Sequence, residues 1–300
     1  VLGEIEAARI ADIDGDGVSD LYLAECRCCT FTTGAFGAAF SFAGGFAAAE
    51  QLWEVGTAVG EGGCHSEGDT VGDFDGDGVT ELVYAGDTSF WAIDGSSGLP
   101  TYHSDEFCSG YGGAAPTDAA DVDGDGRPEL FTFGDGMASS SQGWRGVAML
   151  DYDPPSGRMI ARWIRQVDDL ATDRHQAHGG SLADLDGDGI WEVVTSFFDG
   201  HAGSWRLEVL AAADGAVRDA VVGQALAGVA DVTGDGIDEF FGQAGSRLTA
   251  FRFRGGAIEE LWTLDGAQPL DFLDRERLAT RGAAWSTSTL DLDGDAVGEL

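Results

Sequence analysis

Acidic side chains recur in this chain at a spacing that gathers them around one point. Asp12, Asp14, Asp16 and Asp20 stand at positions 1, 3, 5 and 9 of a short segment, with Gly15 and Gly17 at positions 4 and 6. The segment returns as Asp73, Asp75, Asp77 and Glu81, as Asp121, Asp123, Asp125 and Glu129, and as Asp184, Asp186, Asp188 and Glu192. Two further copies depart slightly. Asp231, Thr233, Asp235 and Glu239 put a hydroxyl at position 3, and Asp291, Asp293, Asp295 and Glu299 are joined by Ala296 where the others have glycine. A hard divalent cation takes roughly six to eight oxygens, and acids on alternate residues of a tight loop converge on such an ion. Glycines at positions 4 and 6 permit the left-handed dihedrals that curl the loop. Position 7 would add its backbone carbonyl, from Val18, Val79, Arg127, Ile190, Ile237 and Val297, and the acid at position 9 closes the shell.

This chemistry points to calcium, up to six ions in all, because the donors are all oxygen and the loops flexible. An EF-hand loop begins the same way but needs a bidentate Glu at its twelfth position, between helices. Here the twelfth residues are Leu23, Tyr84, Thr132, Thr195 and Gly242. Solvated acidic turns would not repeat an acid at position 9 six times, and carboxylates this crowded repel one another without a cation. Thr233 lowers the charge of the fifth site, and Ala296 resists a positive φ in the sixth, so these two are expected to be the weaker sites.

The elements around the loops read as strands. Each motif follows a small or apolar run and precedes a short apolar one, such as Leu82-Val-Tyr84 or Val193-Val-Thr195. Two further strand-like runs follow, for example Leu207–Leu210 and Ala161–Trp163. Successive motifs start 61, 48, 63, 47 and 60 residues apart, alternately long and short, as if units had duplicated in pairs. Four strands per unit at this period predict an all-β fold, a β-propeller of four-stranded antiparallel blades. Residues 1–300 then form a single domain whose last blade is cut short at Leu300, so the chain reads as a mature form or part of a longer protein.

The formal net charge of −37, from 53 acids and 16 bases that are all Arg, argues against nucleic acid and anionic membrane surfaces. Positions 1, 3, 5 and 9 of the six loops hold 23 of those acids. Cys28 to Ala49 is uncharged, yet its glycines and threonines make a poor transmembrane helix, so no membrane-spanning segment is expected. Cys26, Cys28, Cys29, Cys64 and Cys108 leave disulfides, free thiols and a thiolate metal site all open, with an odd count that leaves at least one thiol unpaired within the chain.

The loop between two apolar strands resembles the FG-GAP repeats of integrin α-subunit propellers and their bacterial relatives. That resemblance implies a calcium loop joining the innermost strand of each blade to the second, with ligands bound on the opposite face. The residues there would be His65, Glu67, Tyr111, Arg174, His175, His178, Arg281 and Trp285. A secreted or surface-bound binding module for a protein or carbohydrate is the leading expectation, since such loops suit calcium-rich surroundings. A structural blade array within a larger assembly is the second. The third is a polysaccharide lyase: some rhamnogalacturonan lyases are similar propellers, and Arg174, His175 and His178 would supply a base and carboxylate contacts.

Overall fold

The computed structural model describes residues 5–25, 36–45, 48–55, 69–85, 90–104, 114–135, 145–166, 176–199 and 202–267. The sixth loop (291–299), all five cysteines, and His65, Glu67, Tyr111, Arg174, His175, Arg281 and Trp285 lie outside them.

The described chain forms five four-stranded antiparallel sheets, each consecutive in sequence. Blade 1 holds β1 (Ile5–Ala11), β2 (Asp20–Glu25), β3 (Phe36–Ser41) and β4 (Glu50–Val55). Blade 2 holds β5 (Asp69–Gly72), β6 (Glu81–Ala85), β7 (Phe90–Asp94) and β8 (Pro100–Ser104). Blade 3 holds β9 (Ala114–Ala120), β10 (Glu129–Asp135), β11 (Arg145–Asp153) and β12 (Arg158–Gln166). Blade 4 holds β13 (Gln176–Ala183), β14 (Glu192–Asp199), β15 (Ser204–Ala211) and β16 (Val217–Val222). Blade 5 holds β17 (Ala225–Ala230), β18 (Glu239–Ala244), β19 (Arg247–Arg254) and β20 (Ala257–Asp265). First strands neighbour one another in order, β1 to β5 to β9 to β13 to β17. This is the propeller architecture, and the acidic loop joins the first strand to the second in every described blade. The alternating period comes in part from one connection within each blade. Blades 1 and 3 connect their second and third strands through 26–35 and 136–144, whereas blades 2 and 4 use the shorter 86–89 and 200–203.

Among the described residues there is no single core. Apolar side chains collect in seams between blades, because a sheet with two apolar faces must bury both. Ile13, Tyr22, Ala39 and Trp53 of the first blade meet Leu82 and Ile93 of the second. Phe74, Val83 and Ala92 meet Leu130, Leu150 and Met159. Phe131, Phe133 and Met149 meet Leu182, Val193 and Leu210. Leu185, Val194 and Val209 meet Phe240, Phe251 and Phe253. Second strands are therefore buried on both faces, as in β14, while the outermost β20 is largely exposed.

Every fourth strand carries a β-bulge, at Leu52, Thr101, Arg162, Arg218 and Leu261. In three blades the next residue hooks the following blade. The Trp53 indole N–H donates to the Gly95 carbonyl at 2.5 Å, and that of Trp163 to the Ala212 carbonyl at 2.7 Å. In blade 4 Asp219 replaces the tryptophan and accepts from the Ile258 N–H at 2.7 Å. The ring of Trp163 also covers Gly215, whose φ of 70° and closeness to the indole leave no space for a Cβ. Buried charge links blades 3 and 4 as well: Glu208, 2% exposed, accepts from Arg165 at 2.7 Å and from Arg206 at 2.8 Å. Replacing Trp163 by Phe removes the hook but keeps most of the packing. It should cost about 1–2 kcal/mol in urea unfolding, the value of a lost hydrogen bond that leaves a carbonyl unpaired.

Candidate metal centres

Each acidic loop is held by its own backbone before any cation is considered. The first aspartate accepts the N–H of the glycine at position 6 in all five described loops, from Gly17, Gly78, Gly126, Gly189 and Gly236, at 2.7–3.0 Å. The aspartate at position 5 accepts the N–H of Val18, Val79, Arg127, Ile190 or Ile237 at 2.8–3.1 Å. Both turns need the positive φ that the paired glycines show in every described loop, from 71° at Gly234 to 93° at Gly126.

The acid at position 9 opens the second strand and is buried in every case: Asp20, Glu81, Glu129, Glu192 and Glu239. One of its oxygens accepts the N–H of the residue at position 2: Ile13, Phe74, Val122, Leu185 or Val232. That same residue plugs the apolar seam with its side chain, fully for Ile13, Phe74 and Leu185. Seam packing and carboxylate placement are thus one constraint. The other oxygen of the closing acid is left to face the loop.

In four loops these oxygens converge. Asp73, Asp75, Asp77 and Glu81 each bring an atom within 4.8 Å of one another, as do Asp12, Asp14 and Asp20, Asp121, Asp123 and Glu129, and Asp184, Asp186 and Glu192. Asp12 Oδ1, Asp20 Oδ1, Asp73 Oδ1, Glu81 Oε1 and Asp186 Oδ1 are buried with no hydrogen-bond donor. Leaving such oxygens unpaired is costly, and a divalent cation would satisfy them. The donor sets of loops 1, 2 and 4 therefore fit a hard cation. Loops 3 and 5 differ. Arg162 Nη1 lies 2.7 Å from both Asp123 Oδ2 and Glu129 Oε1. Arg252 donates to Glu239 and, at 3.0 Å, to Thr233 Oγ1 and Asp235 Oδ2. The spacing of the acids gave no sign of these arginines, which come from outer strands; the hydroxyl at Thr233 was the one local clue.

Of the residues expected on the opposite face, only the backbone of His178 is described. It lies in β13 and pairs with Ser196 of β14, beside a bulge before Gly180. The connections that lead into first strands leave from the end opposite the acidic loops, so the two faces are distinct.

Electrostatics follow the same division. Burial, joined by the charges of Asp75, Asp73 and Asp77, pushes the Glu81 carboxyl up to about 8. Burial and the loop-4 aspartates push Glu192 up to about 7. Burial also raises Glu129, but there the Arg162 charge pulls back down. Without a cation, a carboxylate whose folded pKa is raised stabilises the fold fully below its unfolded value and loses that contribution as pH climbs through the folded value. For Glu81 and Glu192 the window runs from 4.5 to about 8 and about 7. Melting in excess chelator should therefore fall as pH rises across this window. Glu81→Gln should flatten the fall, and added divalent cation should oppose it. A chelated profile that climbs over the same range would contradict the assignment.

The family model of the FG-GAP-like repeat matches residues 73–132. A search of curated proteins finds no match. Among solved structures, the Dos1 propeller aligns at a TM-score of 0.50 with 12% identity, over 84% of this chain and 57% of that one. A rhamnogalacturonan lyase of Bacillus licheniformis aligns at 0.48 with 14% identity, and the rhamnogalacturonan lyase YesW at 0.46 with 16%. This chain is 86% covered in both alignments and spans 64% of each lyase. At such identities the likeness concerns the fold alone. The chain is a β-propeller carrying an FG-GAP-like repeat at 73–132, and its other described blades repeat the same strand, acidic loop and strand.

Proposed function

We propose that this chain is a calcium-stabilised propeller acting outside the cell or at its surface as a binding module. Its ligand, a protein or a carbohydrate, would lie on the face opposite the acidic loops. Loop 2 carries the calcium part of this reading. Four carboxylates converge there, and Asp73 Oδ1 and Glu81 Oε1 are buried without donors. An all-oxygen set on a flexible loop suits calcium better than magnesium, which demands a rigid octahedron and keeps its waters. Extracellular calcium modules work in the range of about 0.1–1 mM, where loops of this kind would stay loaded.

The binding part rests on the chain order of strands and connections. Connections 56–68, 105–113 and 167–175 lead into first strands and hold His65, Glu67, Tyr111, Arg174 and His175. The seams and acidic loops carry the fold elsewhere, the usual division between scaffold and binding loops. Among the described residues no helix is long and apolar enough to cross a membrane.

Calcium should raise the melting temperature of chelated protein, since a ligand at about 100 times its Kd adds about 2.7 kcal/mol per site. Magnesium should raise it less, and Asp75→Asn should reduce the calcium effect. Identical melting curves in calcium and chelator would sink the calcium reading. Calcium-loaded protein on glycan and matrix-protein arrays tests the binding reading. Capture supports it, unsaturated product from a pectic polymer would replace it with a lyase, and neither would leave a structural blade array.

A further inference from the structure

We propose that loops 3 and 5 are closed by an internal guanidinium in place of a divalent ion, so that the repeats of this chain fall into two classes. The inference rests on the calcium reading of loops 1, 2 and 4.

Arg162 and Arg252 occupy the points where a cation would sit. Arg162 Nη1 is 2.7 Å from Asp123 Oδ2 at position 3 and from Glu129 Oε1 at position 9. Arg252 reaches positions 3, 5 and 9 together, through Thr233 Oγ1, Asp235 Oδ2 and Glu239 Oε1, with Nε also 3.0 Å from the last. A calcium ion would need these same oxygens at roughly 2.3–2.6 Å, which would force it against the guanidinium with like charge. The two occupants exclude each other. The buried oxygens without donors tell the same story from the other side. Among the described carboxylates they fall in loops 1, 2 and 4, and loops 3 and 5 have none.

The arginines arrive by different routes. Arg162 is the bulged residue of β12, and a bulge re-aims its side chain. Arg218 stands at the same bulge in blade 4 but is exposed, and Asp186 Oδ1 of its loop keeps no donor. Arg252 lies one step beyond the Phe240–Phe251 pair, opposite Glu239. The equivalent residues of the other blades are Ser41, Asp94, Asp151 and Ala211, none of them cationic. In loop 5 two changes match: Thr233 removes an acid, and Arg252 supplies a cation that donates to the Thr233 hydroxyl.

Native mass spectrometry of the full chain in calcium would count the ions, with Asp75→Asn, Asp123→Asn and Asp235→Asn as loop-specific probes. The expected result is one ion lost with Asp75→Asn and none lost with Asp123→Asn or Asp235→Asn. Arg162→Met should gain one ion, and Asp123→Asn in that background should remove it. Loss of an ion with Asp123→Asn or Asp235→Asn alone would overturn the proposal. Melting in chelator reads the arginines without calcium. Arg162→Met and Arg252→Met should each lower the melting temperature by about 5–10 °C, because a buried carboxylate loses its partner. Unchanged melting for both would also overturn it. An ion count of zero in every variant would instead remove the calcium reading and leave the arginine closure to be judged by chelated melting.

Discussion

The fold of each repeat hangs on one hydrogen bond, from the N–H at position 2 of the acidic loop to the buried acid at position 9. Phe74 to Glu81, at 2.8 Å, is the shortest of these with Val122 to Glu129. The bond spans a loop that must reverse the chain, and its donor residue places its side chain in the seam to the next blade. Burying Phe74 or Leu185 contributes about 1.5–3 kcal/mol each. That gain holds the acid in place, and the acid holds the loop. The cost is a carboxylate in a dry, negative setting, which drives the Glu81 and Glu192 pKa values upward. A cation is the natural offset, and at Glu129 and Glu239 an arginine supplies one.

Successive loops also pack on one another. Arg127 of loop 3 lies against Gly76 of loop 2, and Ile237 of loop 5 against Gly187 of loop 4. The Thr80 hydroxyl donates to the Asp12 carbonyl at 3.0 Å. Loops 1 to 3, and loops 4 and 5, thus pack side by side at one end of the first strands. Charge brought to one loop is felt by its neighbour: the raised carboxyl of Asp238, due mainly to burial, carries a contribution from Asp184 of the preceding loop. Arg162 and Arg252 set a positive charge against the closing acids of loops 3 and 5.

The fourth strands do complementary work at the periphery. A bulge shifts the register once per blade, and the following residue reaches the next blade as Trp53, Trp163 or Asp219. Tryptophan suits this role because its N–H finds a carbonyl while its ring covers a glycine turn. Seams, loop contacts and hooks together join each blade to the next, the nearest-neighbour logic of repeat proteins.

Much of this was legible in the chain itself. Acids at fixed offsets with glycines between them determine the loop, because backbone N–H groups two to seven residues away are enough to orient each carboxylate. The apolar runs on either side determine four strands per unit, and all five described blades have them. Local spacing could not show Arg162 or Arg252 inside loops 39 and 17 residues away. Nor could it show that Trp163 reaches a carbonyl 49 residues on, or that Asp118 of β9 accepts from Leu182 of β13. The sequence by itself determined the repeat and the acids that could hold a metal. Tertiary structure decided which of those acids have a cation already, because side chains from distant strands meet the loops only once the sheet has brought them together.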